Sequence, residues 1–236
     1  MNIAENIAES VHPTALLKQD VALWNQWREQ NLEEKLSLCN LNLHGCHLIR
    51  ANFNGLDLTG VDLSDADLSG ASFIGANLRR SDLSGAKLIG CSLVGVKLIG
   101  ADLSHANLVA AKLISAQLVG ADFSHANLSN ANLRKADLLG AELRDTQCHQ
   151  TDFTEADLTR ACLGNADLSE ANLSRANLTR ATLNGARLDG VDLRATVLTD
   201  AALSHAYLVG AIMNQQVLEI TRLSPTLLRG VVMQDT

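Results

Sequence analysis

The chain has 236 residues and a formal net charge of −7, with 47% hydrophobic but only 3% aromatic residues. That acidic balance disfavours nonspecific binding to nucleic acid or to an anionic membrane. No run of eighteen apolar residues occurs, so no membrane span is expected. The length admits one or two domains, and an unbroken five-residue frame through most of the chain argues for one.

Met1 to Ser10 carries two Glu and no basic residue and lacks an apolar core, so it does not read as a secretory signal. Residues 1 to about 12 are expected to be disordered. From Thr14 to about Lys35 the pattern turns helical, with Pro13 at its start. Leu16, Leu17, Val21, Trp24 and Trp27 recur at three- and four-residue spacing, with charges on the other side. Both Trp of the protein lie here.

From residue 36 to 213 a unit of the form AxLxx repeats 36 times without insertion or deletion. The central residue is Leu in 30 units, the exceptions being Phe53, Phe73, Phe123, Phe153, Cys148 and Met213. The residue two before it is Ala in 24. A strict period of this kind marks a repeat architecture. Five residues fit neither the 3.6 period of a helix nor the 2.0 period of a plain strand. Two inward positions lie two residues apart, as on one face of a strand, and a corner follows. The large member fills the axis of a narrow tube and the small member leaves room at its wall. Gly often ends the unit, as in Gly55, Gly70, Gly90 and Gly120, where a corner needs permissive backbone angles. After Met213 the consensus fades. Asn214 is placed to start a short helix over Gln215 to Thr221, Ser224-Pro225 to break it, and Leu227 to Met233 to run as a final extended piece.

The units ADLSG (66–70), ANLRR (76–80), ADLSH (101–105) and ANLSR (171–175) resemble the pentapeptide-repeat family, with its consensus A(D/N)LXX. The resemblance implies an all-β fold, a right-handed quadrilateral parallel β-helix with four repeats per coil. About nine coils stacked about 4.8 Å apart would make a rod of roughly 43 Å. Open solenoid ends need caps. The expected organisation is therefore a disordered start and capping helix over 1–35, the β-helix over 36–213 and a C-terminal cap over 214–236. Trp24 and Trp27 are the expected capping residues, with a docking helix for a partner as the alternative. The segment LWNQWR (23–28) is similar to leaders of cyanobacterial members.

With four repeats per coil, residues twenty apart stack. One column then reads Asp62, Asp82, Asp102, Asp122, Glu142, beside Ser64, Ser84, Ser104 and Ser124, with His105 and His125 at the corner and His205 further along. The other three faces carry Ile74, Val94 and Ile114 on one, Ile99, Val119 and Leu139 on the next, and Ile89 and Val109 on the third. The second half is more basic, with Arg160, Arg175, Arg180, Arg187 and Arg194. A contiguous apolar patch marks an interaction site, so these eight apolar residues are the candidate partner-binding surface. The acidic column is the alternative. Some members of the family mimic DNA and bind type II topoisomerases such as gyrase. Duplex DNA, however, carries one charge per about 1.7 Å, against one per about 4.8 Å along this column.

The sets Asp102-Ser104-His105 and Asp122-Ser124-His125 contain the residue types of a hydrolytic triad, but all project outward with no pocket and no oxyanion donors. Cys39, Cys46, Cys91, Cys148 and Cys162 show no metal or disulfide spacing, and Cys46, Cys91 and Cys148 fall in inward slots as small fillers. That usage suits a reducing cytoplasm. No phosphate loop, HExxH, CxxC pair or nucleotide fingerprint occurs. No enzyme activity, cofactor or metal site is expected. The expected function is a noncatalytic protein–protein interaction scaffold with a regulatory role and an unidentified protein partner. It would bind no membrane and no nucleic acid directly, and would be a monomer or an end-to-end dimer. Some cyanobacterial members of similar length regulate cell differentiation by binding a transcriptional regulator, and the resemblance extends that expectation to this chain.

Overall fold

A computed structural model of the chain describes residues 13–31, 34, 36–221 and 228–234. The expectations for residues 1–12 and for Ser224-Pro225 lie outside the described residues. The repeats form a parallel β-helix in which each unit pairs with the unit twenty residues on. The bridges run without a gap from Ser37↔Asp57 to Asp192↔Ile212. Four five-residue units therefore make one turn of the helix, and each unit supplies one side and one corner.

One unit, Val61 to Asp65, shows why the consensus has its letters. Val61 N–H donates to Leu58 O across the corner, Asp62 N–H to Leu41 O in the coil before, and Leu63 and Asp65 N–H to Asp82 O and Ser84 O in the coil after. The remaining donor, Ser64 N–H, reaches Asp62 Oδ1 at 3.1 Å. All five donors of the unit are thereby satisfied, as buried backbone requires. Asp or Asn before the central Leu supplies the acceptor that the ladder leaves missing. The same contact recurs at Asp82–Ser84, Asn107–Val109, Asp137–Leu139 and Asn172–Ser174. Ser72 does not fill this role for Ile74, whose N–H is served by Asn54 Oδ1 of the previous coil at 2.8 Å.

Each corner has a residue of positive φ at every fifth position from Asn40 to Gly210. That angle, with the i→i+3 bond, is the type II turn. Glycine occupies many of these corners, and Arg80, His105, Ala110 and Lys135 adopt the same left-handed conformation. Such a residue costs on the order of 1 kcal/mol. The cost is offset locally, as at Arg80, whose N–H bonds to Ile99 O at 3.1 Å while Ser81 N–H closes the turn onto Leu78 O at 3.3 Å.

The core follows the expected register. Every central residue from Leu38 to Met213 is buried, and the small position is buried from Ala51 to Thr196. At the two ends Leu36, Leu41, Cys46 and Ala201 are only partly covered, so Cys46 is less enclosed than its inward slot implies. Where a hydroxyl replaces Ala it is bonded. Ser81 Oγ donates to Leu78 O, and Thr146, Thr151 and Thr196 donate to Leu143, Leu128 and Leu173 O.

The single helix expected over residues 14–35 is two helices, α1 (Pro13–Gln19) and α2 (Val21–Gln30). Asp20 separates them. Its backbone is extended, and its carboxylate accepts from Ala22 and Leu23 N–H at 2.8 and 3.1 Å, which makes it an N-cap. Leu16, Leu17, Trp24 and Trp27 are buried as their periodicity requires. Trp27, Trp24, Phe53 and Phe73 continue as a stack, with successive ring centroids 5.6, 6.0 and 4.8 Å apart. Side chains of α2 take the places that a preceding coil's backbone would fill. Trp24 Nε1 donates to Asn52 O, Arg28 Nη2 donates to Asn54 O, and Asn52 N–H donates to Asn25 Oδ1 at 2.8 Å.

At the other end β1 (Ile212–Met213) pairs in parallel with β2 (Val232–Met233), again twenty residues on. Between them lies α3 (Gln215–Thr221), where Asn214 Oδ1 accepts from Val217 N–H at 3.3 Å. The final extended piece is shorter than the expected Leu227–Met233, because residues 228–230 form a turn. Among the described residues no helix is long and apolar enough to cross a membrane.

Candidate functional site

Each unit presents three side chains outward, one at the centre of a side and two at the corner. The four corner columns confirm the sidedness read by twenty-residue stacking. In the two coils spanning residues 86–125, three consecutive corners carry Ile89 and Val109, Val94 and Ile114, and Ile99 and Val119, while the fourth carries Ser104 and Ser124. Ile74 and Leu139 extend two of these columns. Ile74, Ile89 and Leu139 are 47, 41 and 39% exposed. Val94, Ile99, Val109, Ile114 and Val119 are half-buried, because residues one coil apart cover one another.

Three apolar features fall outside the predicted set, one of them Val197, which is 40% exposed and pairs with Asn177. Ile49 is 47% exposed and lies in the corner column of Ile89, separated from it by Ser69. At the C-terminal end Tyr207, Val209, Val232 and Met233 are 47–63% exposed. Ile49 was findable by extending its column one coil further back. Tyr207 and Val209 carry the same signal, two apolar residues at outward positions of one unit.

The acidic column is continuous, since Asp62, Asp82, Asp102, Asp122 and Glu142 are successive bridge partners. Its carboxylates are engaged in the fold. Asp82 accepts from Ser84 N–H and Oγ at 2.9 and 2.6 Å, and Asp102 and Asp122 accept from Ser104 and Ser124 N–H at 2.8 Å. The Ser64 hydroxyl holds the Asp62 carboxyl below its ordinary value, outweighing the opposing effect of burial, with help from Ser64 N–H and from His44. Glu142 is paired with Arg144 at 3.0 Å.

The triad-like sets are not assembled. Asp102 and Asp122 meet the backbone N–H of Ser104 and Ser124, and His105 stacks on His125 at 4.9 Å. Among the described residues no group of three His, Cys, Asp or Glu is placed to hold a metal ion. Burial pushes the Cys91 and Cys148 thiols up to about 12, so both stay protonated and inert. A groove of about 430 Å³ runs between α1 and the first coil beside Gly45, Cys46 and His47. A smaller one of about 250 Å³ lies beside Arg144, Cys162 and Gly164. The basic second half is largely neutralised, for Arg175 meets Glu155, Arg180 meets Asp200, Arg187 meets Asp167 and Arg194 meets Asp192.

The pentapeptide-repeats family matches the chain in eight copies, over residues 35–65, 62–98, 91–130, 121–160, 156–194 and 176–215. Among solved structures the chain is similar to HetL, a pentapeptide repeat protein involved in heterocyst differentiation regulation from the cyanobacterium Nostoc sp. strain PCC 7120. The two share 35% identity with a TM-score of 0.57, over 76% of this chain and 87% of HetL. QnrB1, a plasmid-mediated fluoroquinolone resistance protein, matches at 20% identity and a TM-score of 0.58, over 85% of this chain and 93% of QnrB1. That likeness concerns the fold alone. No curated protein sequence gives a significant match. The repeat, its twenty-residue register and these relatives lead to one conclusion: the chain belongs to the pentapeptide-repeat family and has its right-handed β-helix fold.

Proposed function

We propose that this protein is a noncatalytic binding scaffold with a regulatory role, which engages a protein partner through the apolar corners of its β-helix. The observation that carries this reading is the sidedness of residues 86–125, where three corners are apolar and the fourth is Ser backed by Asp. Apolar burial supplies most binding free energy, and a rigid rod loses little entropy when it docks. The role of the cyanobacterial relative in differentiation control agrees with a regulatory function. The acidic column supports a topoisomerase-directed reading less well, because its Asp side chains serve backbone donors and its last member is ion-paired. In the same proposal α1 and α2 cap the first coil, the residues from 214 onward cap the last, and the protein works in the cytoplasm.

Affinity capture tests the proposal. The wild-type rod and a Val94→Ser/Ile99→Thr/Ile114→Thr variant serve as paired baits in extract of the source organism. A specific partner retained by the wild type and lost by the triple variant is expected. Equal retention by both baits would refute the assignment of the surface.

A further inference from the structure

We infer that the apolar corners are built for an acidic, apolar polypeptide segment, an inference that rests on the scaffold reading and adds the partner's chemistry to it. In a chain of net charge −7, neither the stretch from Gly85 to Ala101 nor that from His105 to Ala121 contains a single Asp or Glu. The only charged side chains within these stretches, His aside, are Lys87, Lys97 and Lys112.

The fold sets these cations among the apolar residues. Lys97 bridges to Asn77 and Gln117 on one side of the rod, between the corner of Val94 and Ile114 and the corner of Ile99 and Val119. Lys112 bridges to Ser92 on the adjoining side, between the Val94–Ile114 corner and that of Ile89 and Val109. Two neighbouring sides thus share one apolar corner, and each carries a cation between apolar edges. No ion pair of Lys97 or Lys112 is present among the described residues, while Lys87 meets Asp67 at 3.8 Å. Elsewhere on the rod most cations are matched within the fold, as Lys135 is by Glu155 and Arg134 by Asp152. Arg50, Arg79, Arg80 and Arg160 also lack an ion pair among the described residues, but Lys97 and Lys112 are set apart by lying on sides flanked by apolar corners.

The backbone ladder is closed along these coils, with Leu93 N–H on Lys112 O and Leu98 N–H on Gln117 O. No free strand edge offers β-augmentation, so recognition falls to side chains. A segment that interleaves Asp or Glu with Leu, Ile or Phe matches both features. Its apolar side chains cover the corners, while its carboxylates meet Lys97 and Lys112, fix the register and exclude basic competitors. An anionic membrane suits the surface less well, since the band bends around a corner and the acidic column occupies the side next to that of Lys97.

A random peptide display library selected against the full chain tests this inference. The expected peptides are rich in both acidic and apolar residues. Titrated against Lys97→Glu/Lys112→Glu, they should bind at least tenfold more weakly, and their charge-swapped versions, with Lys in place of Asp and Glu, should recover affinity for that variant. Circular dichroism of the variant should match the parent. Enriched peptides that lack carboxylates, or that bind the lysine variant undiminished, overturn the inference. If those peptides still lose affinity to the Val94→Ser/Ile99→Thr/Ile114→Thr variant, the scaffold reading stands without it. If neither variant matters, both fail. Lysine-dependent binding to vesicles of equal parts phosphatidylserine and phosphatidylcholine, with no peptide enriched, would make the surface a membrane site and overturn the inference.

Discussion

Truncating Leu108 to Ala tests the packing that holds the rod together. Leu108 is fully buried, as are Leu88 and Leu128 above and below it in the same column of the core. The change removes three carbon atoms, worth about 2.4 kcal/mol at about 0.8 kcal/mol per buried methylene. A cavity term then adds to this in proportion to how little the walls collapse. Here the walls are held on both sides, because Leu88 N–H bonds Asn107 O and Leu108 N–H bonds Asn127 O, each at 2.7 Å. The backbone cannot close inward without breaking these bonds, which places the loss in the upper part of the range, about 3–5 kcal/mol. Urea unfolding of parent and variant, compared at equal m-value, measures it. Leu203 near the C-terminal end is 8% exposed, and its truncation should cost less. A loss under about 0.5 kcal/mol at Leu108, well below the core-truncation range, would mean that the core is not packed as described.

Replacing Asp102 by Ala removes the acceptor of Ser104 N–H and should lower stability by about 0.5–1 kcal/mol, whereas Asn at that position keeps the acceptor and should be nearly neutral. Equal urea midpoints for the two variants would refute the account of the consensus Asp. The carboxyls of Asp57, Asp62 and Asp67 are held below their ordinary 3.8, first by the hydroxyls of Thr59, Ser64 and Ser69. A depressed folded value stabilises above the unfolded value and is lost as pH falls through the folded one. Stability should therefore decline below about pH 4, and a Thr59→Val/Ser64→Ala/Ser69→Ala variant should show a shallower decline. An unchanged slope in the triple variant would count against these contacts. Deleting residues 1–35 should uncover Phe53 and the backbone groups of Asn52 and Asn54 that α2 now serves. Sedimentation velocity should then reveal association, and a monomeric, equally stable truncation would remove the capping role.

The solenoid was legible in the sequence because its period is set by burial. An unbroken frame of central Leu and small partner residues fixes which side chains face inward, and every central residue is buried. Stacking at twenty residues placed the acidic column and the apolar corners on the correct sides. Pattern alone reached less far where a local contact decides. Asp20 turned one expected helix into two because its carboxylate caps α2. Glycine marked many corners, yet Arg80 and His105 adopt the same angles, since ladder and turn bonds outweigh side-chain preference there. The Asp before Leu was legible as a column of charge, and its service to the N–H two residues on emerged only from the backbone hydrogen bonds. At the candidate surface the identities were readable, but the half-burial of Val94 and Ile114 and the ion pairing of Arg175 and Arg187 depend on neighbours a coil away.

The central claim, that the apolar corners rather than the acidic column bind the partner, is tested most directly by titrating the captured partner against two variants. Val94→Ser/Ile99→Thr/Ile114→Thr should weaken binding at least tenfold, about 1.4 kcal/mol, with the fold intact because these side chains point away from the core. Asp82→Asn/Asp102→Asn/Asp122→Asn should change the affinity less, and mainly through the association rate. The opposite ranking would contradict the account and move the site to the acidic column.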